Sequence, residues 1–310
     1  MVAEIRSGRL STRVVPVSLF IWIAIEIAIY LAIGRHWLGA DWSTAIFGTA
    51  GGLLGLRAGI NGVTWLYAMN HASPAAPLGF ARRFRLIVGE YLAFLFTFVA
   101  VLPFERLWMP ADRLSPGARR PLLLVHGYGC SRGVWWLLRR RLEVAGHTVA
   151  TVSLVPPYTS MGKLVPQLNR RIEEVCAATG AKQVTLIGHS MGGLVCRSYL
   201  ARHGIARVAQ LFTLATPHAG TELARIGFGQ NAREMEPDSL WLRDMAQEAV
   251  KIPATGLRNA YDNYVMPQDN QRLPGARDVE LPALGHIAML YDVRVFRLLL
   301  EHCPPPGPSA

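Results

Sequence analysis

The chain has little of what would mark several common protein classes. Its 310 residues include only four cysteines, Cys130, Cys176, Cys196 and Cys303, with neither C-x-x-C nor metal-ligand spacing. A zinc module and a dithiol redox site are therefore not expected, and the thiols read as buried or unpaired in preference to a disulfide. No dense basic block with interleaved aromatics occurs, although the net charge is +11. Nucleic acid is thus not the expected partner, and the basic surplus suits an anionic membrane surface better. Glycine and proline are scattered without period, and there is no internal repeat. The tail Pro304-Pro305-Pro306-Gly307-Pro308 can form neither helix nor ladder, so residues 304–310 are expected to be disordered.

What is present is unevenly spread. Residues 1–110 carry long apolar runs, with nine arginines against five acids, whereas 111–310 has the composition of a soluble domain, with 23 Lys+Arg against 16 acids. Val14 to Ile33 holds twelve Val, Ile, Leu and Phe and one charge, Glu26. On the membrane-insertion scale these give roughly −4 to −7 kcal/mol, against about +3 for the charge. A second span is expected over about 86–104, where Glu90 is the charge. The stretch 45–69 is nearly balanced: eight such residues oppose Arg57, and Gly48/Gly52 and Gly51/Gly55 have the small-xxx-small spacing of close helix contacts. Two to three spans follow, with Glu26, Arg57 and Glu90 either pairing inside a small bundle, the reading preferred, or snorkelling to the interface. Arg6, Arg9 and Arg13 precede the first span, and Arg82, Arg83 and Arg85 the last. Both clusters stay cytoplasmic only if 45–69 crosses. The expectation is then a multi-pass protein of a bacterial inner membrane with residues 111–303 on the extracytoplasmic side. Arg106, Arg113, Arg119 and Arg120, just after the last span, pull the other way.

From residue 120 the pattern alternates. Strand-like segments at 121–127, 147–154, 183–188 and 209–217 are separated by helical segments at Val134–Ala145, Met161–Thr179 and Met191–His203. Later strands are expected at Thr255–Tyr261 and Val279–Leu281, before a closing helix at Val293–Glu301. Apolar strands separated by helices predict a mostly parallel sheet covered on both faces, an α/β class. In such sheets ligands bind at the carboxyl ends of the strands.

One of those ends carries Gly188-His189-Ser190-Met191-Gly192. It reads as an ordinary glycine turn, or as a nucleophile elbow that exposes a serine between strand and helix. Other strand ends supply VHGYGCS (125–131), Asp262 in NAYDNYVMP, and His286 in LPALGHIAML. A serine hydroxyl needs an imidazole to take its proton, and the imidazole needs a carboxylate to fix its tautomer. Ser190, Asp262 and His286 occur in the chain order of an α/β-hydrolase triad. Rivals exist. His189 reads as a packing residue, since an elbow points its neighbours away from the serine. His126 reads as a brace for the 126–130 loop, and His218 as either structural or rim. Asp269, Asp278 and Asp292 are alternative acids.

These segments resemble the α/β-hydrolase lipases, and most closely the small bacterial lipases of the class 2 type, typified by minimal secreted bacillar enzymes. The elbow GHSMGG, the early VHGYG, TPHAGT at 216–221, and the run from Asp262 to Tyr291 (D-x-x-V-M…GAR-x-V…GHI-x-x-L-Y) carry the likeness. It covers about 120–302. The resemblance implies Ser190 as nucleophile, Asp262 as acid, His286 as base, and the backbone N–H groups of Tyr128 and Met191 as the oxyanion hole. It further implies carboxylic-ester hydrolysis of a lipid or small ester through an acyl-enzyme, with no cofactor and no metal. The chain departs from the family in its apolar region 1–110 and in a longer stretch from Glu222 to Pro253, a possible cover. An acyltransferase or thioesterase would use the same triad, and a non-catalytic membrane scaffold could keep the fold.

Overall fold

The computed structural model describes residues 13–118 and 120–303. Arg6, Arg9, Arg119 and the proline-rich tail 304–310 lie outside the described residues. Three long helices come first: α1 (Val14–Ala32), prolonged by a π-helical turn Ile33–Trp37, α2 (Trp42–Asn70), and α3 (Phe80–Leu95), prolonged by Phe96–Val101. Asp41 starts α2 by accepting the Thr44 N–H at 2.8 Å, satisfying one of the donors a helix start leaves open. The helices Val14–Trp37 and Phe80–Val101 are long and apolar enough to cross a membrane by length and composition; α2, with 29 residues, is less apolar.

Polarity in this region runs inside out. Phe20, Ile21, Trp22, Phe47, Leu66 and Phe84 are exposed, whereas Glu26, Arg57, Asn61, Thr64, Glu90 and Thr97 are buried. Arg57 pairs with Glu26, as anticipated for charges inside a bundle, but Glu90 does not join them. Its carboxylate turns toward the second half of the chain.

That half begins after the short helix α4 (Glu105–Trp108) and runs β1 (Leu122–Val125), a 3₁₀ turn Arg132–Trp135, α5 (Trp136–Val144), β2 (Val149–Val152), α6 (Met161–Thr179), β3 (Val184–His189), α7 (Met191–His203) and β4 (Val208–Leu214). A 3₁₀ turn Glu222–Ile226 and the short helices α8 (Gln230–Glu234) and α9 (Leu240–Ala246) follow, then β5 (Ala254–Asn259), β6 (Arg277–Leu281) and α10 (Val293–His302). All six strands are parallel in the order β2-β1-β3-β4-β5-β6, with Leu123 level with Ala150 and Leu186, and Phe212 level with Thr255. Every residue of β1, β2 and β3 is buried, as expected where helices cover both faces. Leu164, Leu168 and Tyr199 of α6 and α7 close one face, and Trp135, Leu138 and Leu299 the other. The α6 ends are sharp: the Ser160 hydroxyl accepts the Gly162 N–H, and Gly180 stops the helix at φ 74°. The four cysteines are free, and burial pushes the Cys130 thiol up to about 12.

The helical region is bonded to the sheet region at several loops. Thr64 of α2 accepts from Asn263 Nδ2 at 2.7 Å, Ser73 N–H donates to Gln268 Oε1 at 2.8 Å, and Tyr261 Oη donates to the Ala76 carbonyl at 2.7 Å. Glu105 accepts from Ser131 and from the Gly133 N–H. Phe96 meets Trp136 and Tyr291 edge-on.

Candidate active site

Where β3 becomes α7, Ser190 takes φ 53° and ψ −128°, a left-handed conformation that costs an L-residue about 1–3 kcal/mol. Its N–H donates to the Leu214 carbonyl at 2.8 Å, tying the turn to β4. The neighbouring glycines are required by close approach: a Cβ on Gly192 would collide with the Val125 carbonyl oxygen, and one on Gly193 with the Thr216 hydroxyl. Gly127 passes so near that its Cβ would stand 3.0 Å from Ser190 Cβ, which brings the Tyr128 loop beside the serine. The N–H of Met191 belongs to the first turn of α7, where helical N–H groups lack an intrahelical acceptor. Among the described residues Ser190 Oγ has no hydrogen-bond partner; the half-buried side chain faces a pocket.

Asp262 and His286 come together. Asp262, in the loop after β5, is fully buried; its Oδ1 accepts the N–H groups of Tyr264 at 2.7 Å and Val265 at 2.8 Å, and His286 Nδ1 lies 2.9 Å from Oδ2. A carboxylate on Nδ1 selects the tautomer that leaves Nε2 free as a base. His286, in the loop after β6, is held elsewhere too. Its N–H donates to Asn263 Oδ1 at 3.3 Å, its carbonyl accepts from His189 Nε2 at 3.2 Å, and the Tyr264 ring stacks on it at 4.9 Å. The next two N–H groups, of Ile287 and Ala288, donate to Glu90 at 2.9 Å each.

The competing residues are engaged elsewhere. His189 is buried against the His286 backbone, and burial together with the nearby His286 lowers it well below its ordinary value, so it stays neutral. His126 accepts the Leu154 N–H on Nε2 at 2.9 Å and contacts the Gly127 carbonyl through Nδ1 at 2.9 Å; burial lowers it to about 4. His218 is buried, with its ring against Arg197 and the Thr213 hydroxyl. Asp269 pairs with Arg272, Asp278 with Arg258 near the start of β6, and Asp292 caps α10 and pairs with Arg294.

The Ser190 pocket has a volume of about 350 Å³. The segment 222–235 forms one side through Leu223, Ile226 and Met235, and α2 forms another through Ile60, Val63 and Thr64. Tyr128 ties the serine loop to the segment over it, since its hydroxyl donates to the Phe228 carbonyl at 2.6 Å and accepts the Phe228 N–H at 2.9 Å. The possible cover at 222–253 is thus a set of short helical turns beside the pocket. Sequence reasoning missed Asn263, Tyr264, Thr64 and the direction of Glu90. Only Glu90 left a signal, as the sole carboxylate in its apolar run.

The chain has the α/β-hydrolase fold. Residues 120–239 match the family model described as alpha/beta hydrolase fold. Over 130 residues the chain is 35% identical to a triacylglycerol lipase of Pseudarthrobacter phenanthrenivorans, and equally to one of Burkholderia plantarii. Each match takes in 39% of this chain, and the two span 40% and 36% of those relatives' own lengths. Among solved structures, the mature Bacillus licheniformis lipase BlEst2 superposes with TM-score 0.54 at 18% identity, over 63% of this chain and 96% of that one. Aspergillus fumigatus lipase B gives 0.57 at 16%, over 64% and 57%.

Proposed function

We propose that the chain is a serine hydrolase that cleaves carboxylic esters of lipids through an acyl-enzyme, held at a membrane by α1–α3. The observation that carries the reading is the buried Asp262–His286 pair, at the same end of the sheet as the Ser190 elbow and its apolar pocket. The sequence likeness to triacylglycerol lipases supports the substrate class. In the first half-reaction Ser190 Oγ attacks the ester carbonyl carbon while His286 Nε2 takes the hydroxyl proton. Asp262 stabilises the resulting imidazolium, and the N–H groups of Tyr128 and Met191 hold the oxyanion. Loss of one such donor costs about 3–4 kcal/mol of barrier. The C–O bond then breaks, and the alcohol leaves with the proton from His286. Water, deprotonated by His286 in turn, releases the acid and restores Ser190.

Membrane residence is supported by the inverted polarity of α1–α3, whose exposed side chains are large and apolar while their charges are buried. On the arginine distribution, residues 111–303 face the extracytoplasmic side of a bacterial inner membrane. Alkaline phosphatase and green fluorescent protein fused after Ala310 test this: phosphatase activity is expected, and fluorescence without it refutes the orientation.

A fluorophosphonate probe tests the chemistry. It is expected to label the full chain and to lose all labelling in Ser190→Ala. Labelling that persists in that variant refutes the nucleophile. Product analysis with an alcohol acceptor separates hydrolysis from acyl transfer.

A further inference from the structure

The Ser190 pocket is built from both halves of the molecule. Three of its lining residues, Ile60, Val63 and Thr64, sit on one turn of α2, and none of the three is charged. Opposite them stand Leu223, Ile226 and Met235. Ile60 is 46% exposed and Val63 41%, so each faces the cavity with one edge and the outside with another. α2 also carries exposed Leu56, one turn before Ile60, and the 222–228 segment carries exposed Ile226 and Phe228, at 55% and 75%. The pocket therefore opens between two apolar lips, one of which belongs to the helical region.

We infer that α2 is the acyl-side wall of the site, with Ile60 and Val63 setting chain-length preference, and that the substrate is a long-chain ester lipid drawn from the bilayer between α2 and the 222–228 segment. This rests on the serine-hydrolase reading above. The physical case is one of continuity. A lipid chain moving from the bilayer along Leu56, Ile60 and Val63 stays against apolar surface until its carbonyl reaches Ser190. A water-soluble ester gains nothing from the exposed lips. The volume of about 350 Å³ is at the lower end of pockets that enclose small organic ligands, so one acyl chain fits the site and a second stays outside. Thr64 has a separate duty in this wall, because its hydroxyl is bonded to Asn263. That leaves Ile60 and Val63 as the positions free to tune length.

The test uses the full chain in phosphatidylglycerol nanodiscs, with p-nitrophenyl acetate, butyrate and octanoate in solution and diolein in the bilayer. The wild type is expected to prefer octanoate to acetate by at least tenfold in kcat/KM, since each methylene removed from water contributes about fourfold. It is also expected to release oleate from diolein. Val63→Trp narrows the pocket and is expected to lower the octanoate value at least about 30-fold more than the acetate value. Val63→Ala, which keeps an apolar helix, is expected to shift the optimum toward longer chains. The inference is overturned if Val63→Trp and Val63→Ala leave the chain-length profile unchanged or lower all esters equally, or if the wild type cleaves butyrate but not diolein. A wild type that neither labels with fluorophosphonate nor cleaves any ester is a different failure, that of the hydrolase reading itself.

Discussion

The Glu90 carboxylate, on a helix that precedes the sheet, accepts the backbone N–H of Ile287, the residue after His286, at 2.9 Å. With the Ala288 N–H on its other oxygen, Glu90 fixes the direction in which the His286 loop leaves β6. A Cβ on Gly285 would collide with the same carboxylate, so the loop is fitted to it from both sides.

Glu90→Gln keeps one acceptor oxygen and turns an amide donor toward the other N–H. A buried N–H left without an acceptor costs about 1–3 kcal/mol. We expect kcat on p-nitrophenyl butyrate to fall about 10- to 100-fold at nearly constant KM, with Ser190 labelling slowed in proportion. A lowered melting temperature with unchanged kcat identifies the contact as one that supports the fold alone.

The acid is distinguished by its company. Asp262→Asn leaves the loop bonds to Tyr264 and Val265 possible but holds the wrong imidazole tautomer, and is expected to reduce kcat about 10⁴-fold. Asp269→Asn, Asp278→Asn and Asp292→Asn remove ion pairs with Arg272, Arg258 and Arg294 and are expected to stay within about threefold of wild type, as partly exposed pairs do. A larger loss from any of these three than from Asp262→Asn reassigns the carboxylate.

The His189 ring touches the backbone of His286. It donates to the His286 carbonyl and has no route to a substrate proton, so His189→Ala is expected to cost about tenfold in kcat, against several orders of magnitude for His286→Ala. Equal losses identify the wrong base.

Acid should remove the stability contributed by the buried histidines. Burial lowers His126 to about 4, while the unfolded chain protonates the same ring near 6.5. Between those values the unfolded state binds more protons, so stability is full above about 6.5 and is lost as the pH falls toward 4. His126 alone accounts for roughly 2 kcal/mol by pH 5, and His189 and His218, also lowered by burial, act in the same direction. Denaturation midpoints at pH 7 and pH 5 measure this. The fall in midpoint from pH 7 to pH 5 is expected to be larger in wild type than in His126→Gln, and equal falls contradict it.

Much of the sheet region was legible from residue 120 onward. The expected spans of α6 and α7 match the structure to the residue, with Ser160 and Gly180 bounding α6 and Ser190 and Gly204 bounding α7. The edges were less legible. β6 begins at Arg277 and Asp278, both exposed, and an exposed edge strand lacks the apolar run that reveals a buried one. At the proposed site, the Ser190 turn and the Asp262–His286 pair were legible because such residues are tied to strand ends and chain order. Asn263, Thr64 and Glu90 were not, since Thr64 and Glu90 reach the site loops through bonds spanning nearly 200 positions, and Asn263 links Thr64 to the His286 N–H. Glu90 illustrates the limit: as a charge in an apolar run it predicted a partner, and the nearest candidate was Arg57, which Glu26 already holds.

The bonds from Thr64 to Asn263, from Ser73 to Gln268 and from Glu90 to Ile287 close loops of 199, 195 and 197 positions. Contacts so remote form late, after local helices and neighbouring strands. The loops bearing Asp262 and His286 are held by the helices of the first half as well as by the sheet that they leave. The alignment of these two loops is thus a property of the whole chain, because the sheet region alone lacks the partners that hold them.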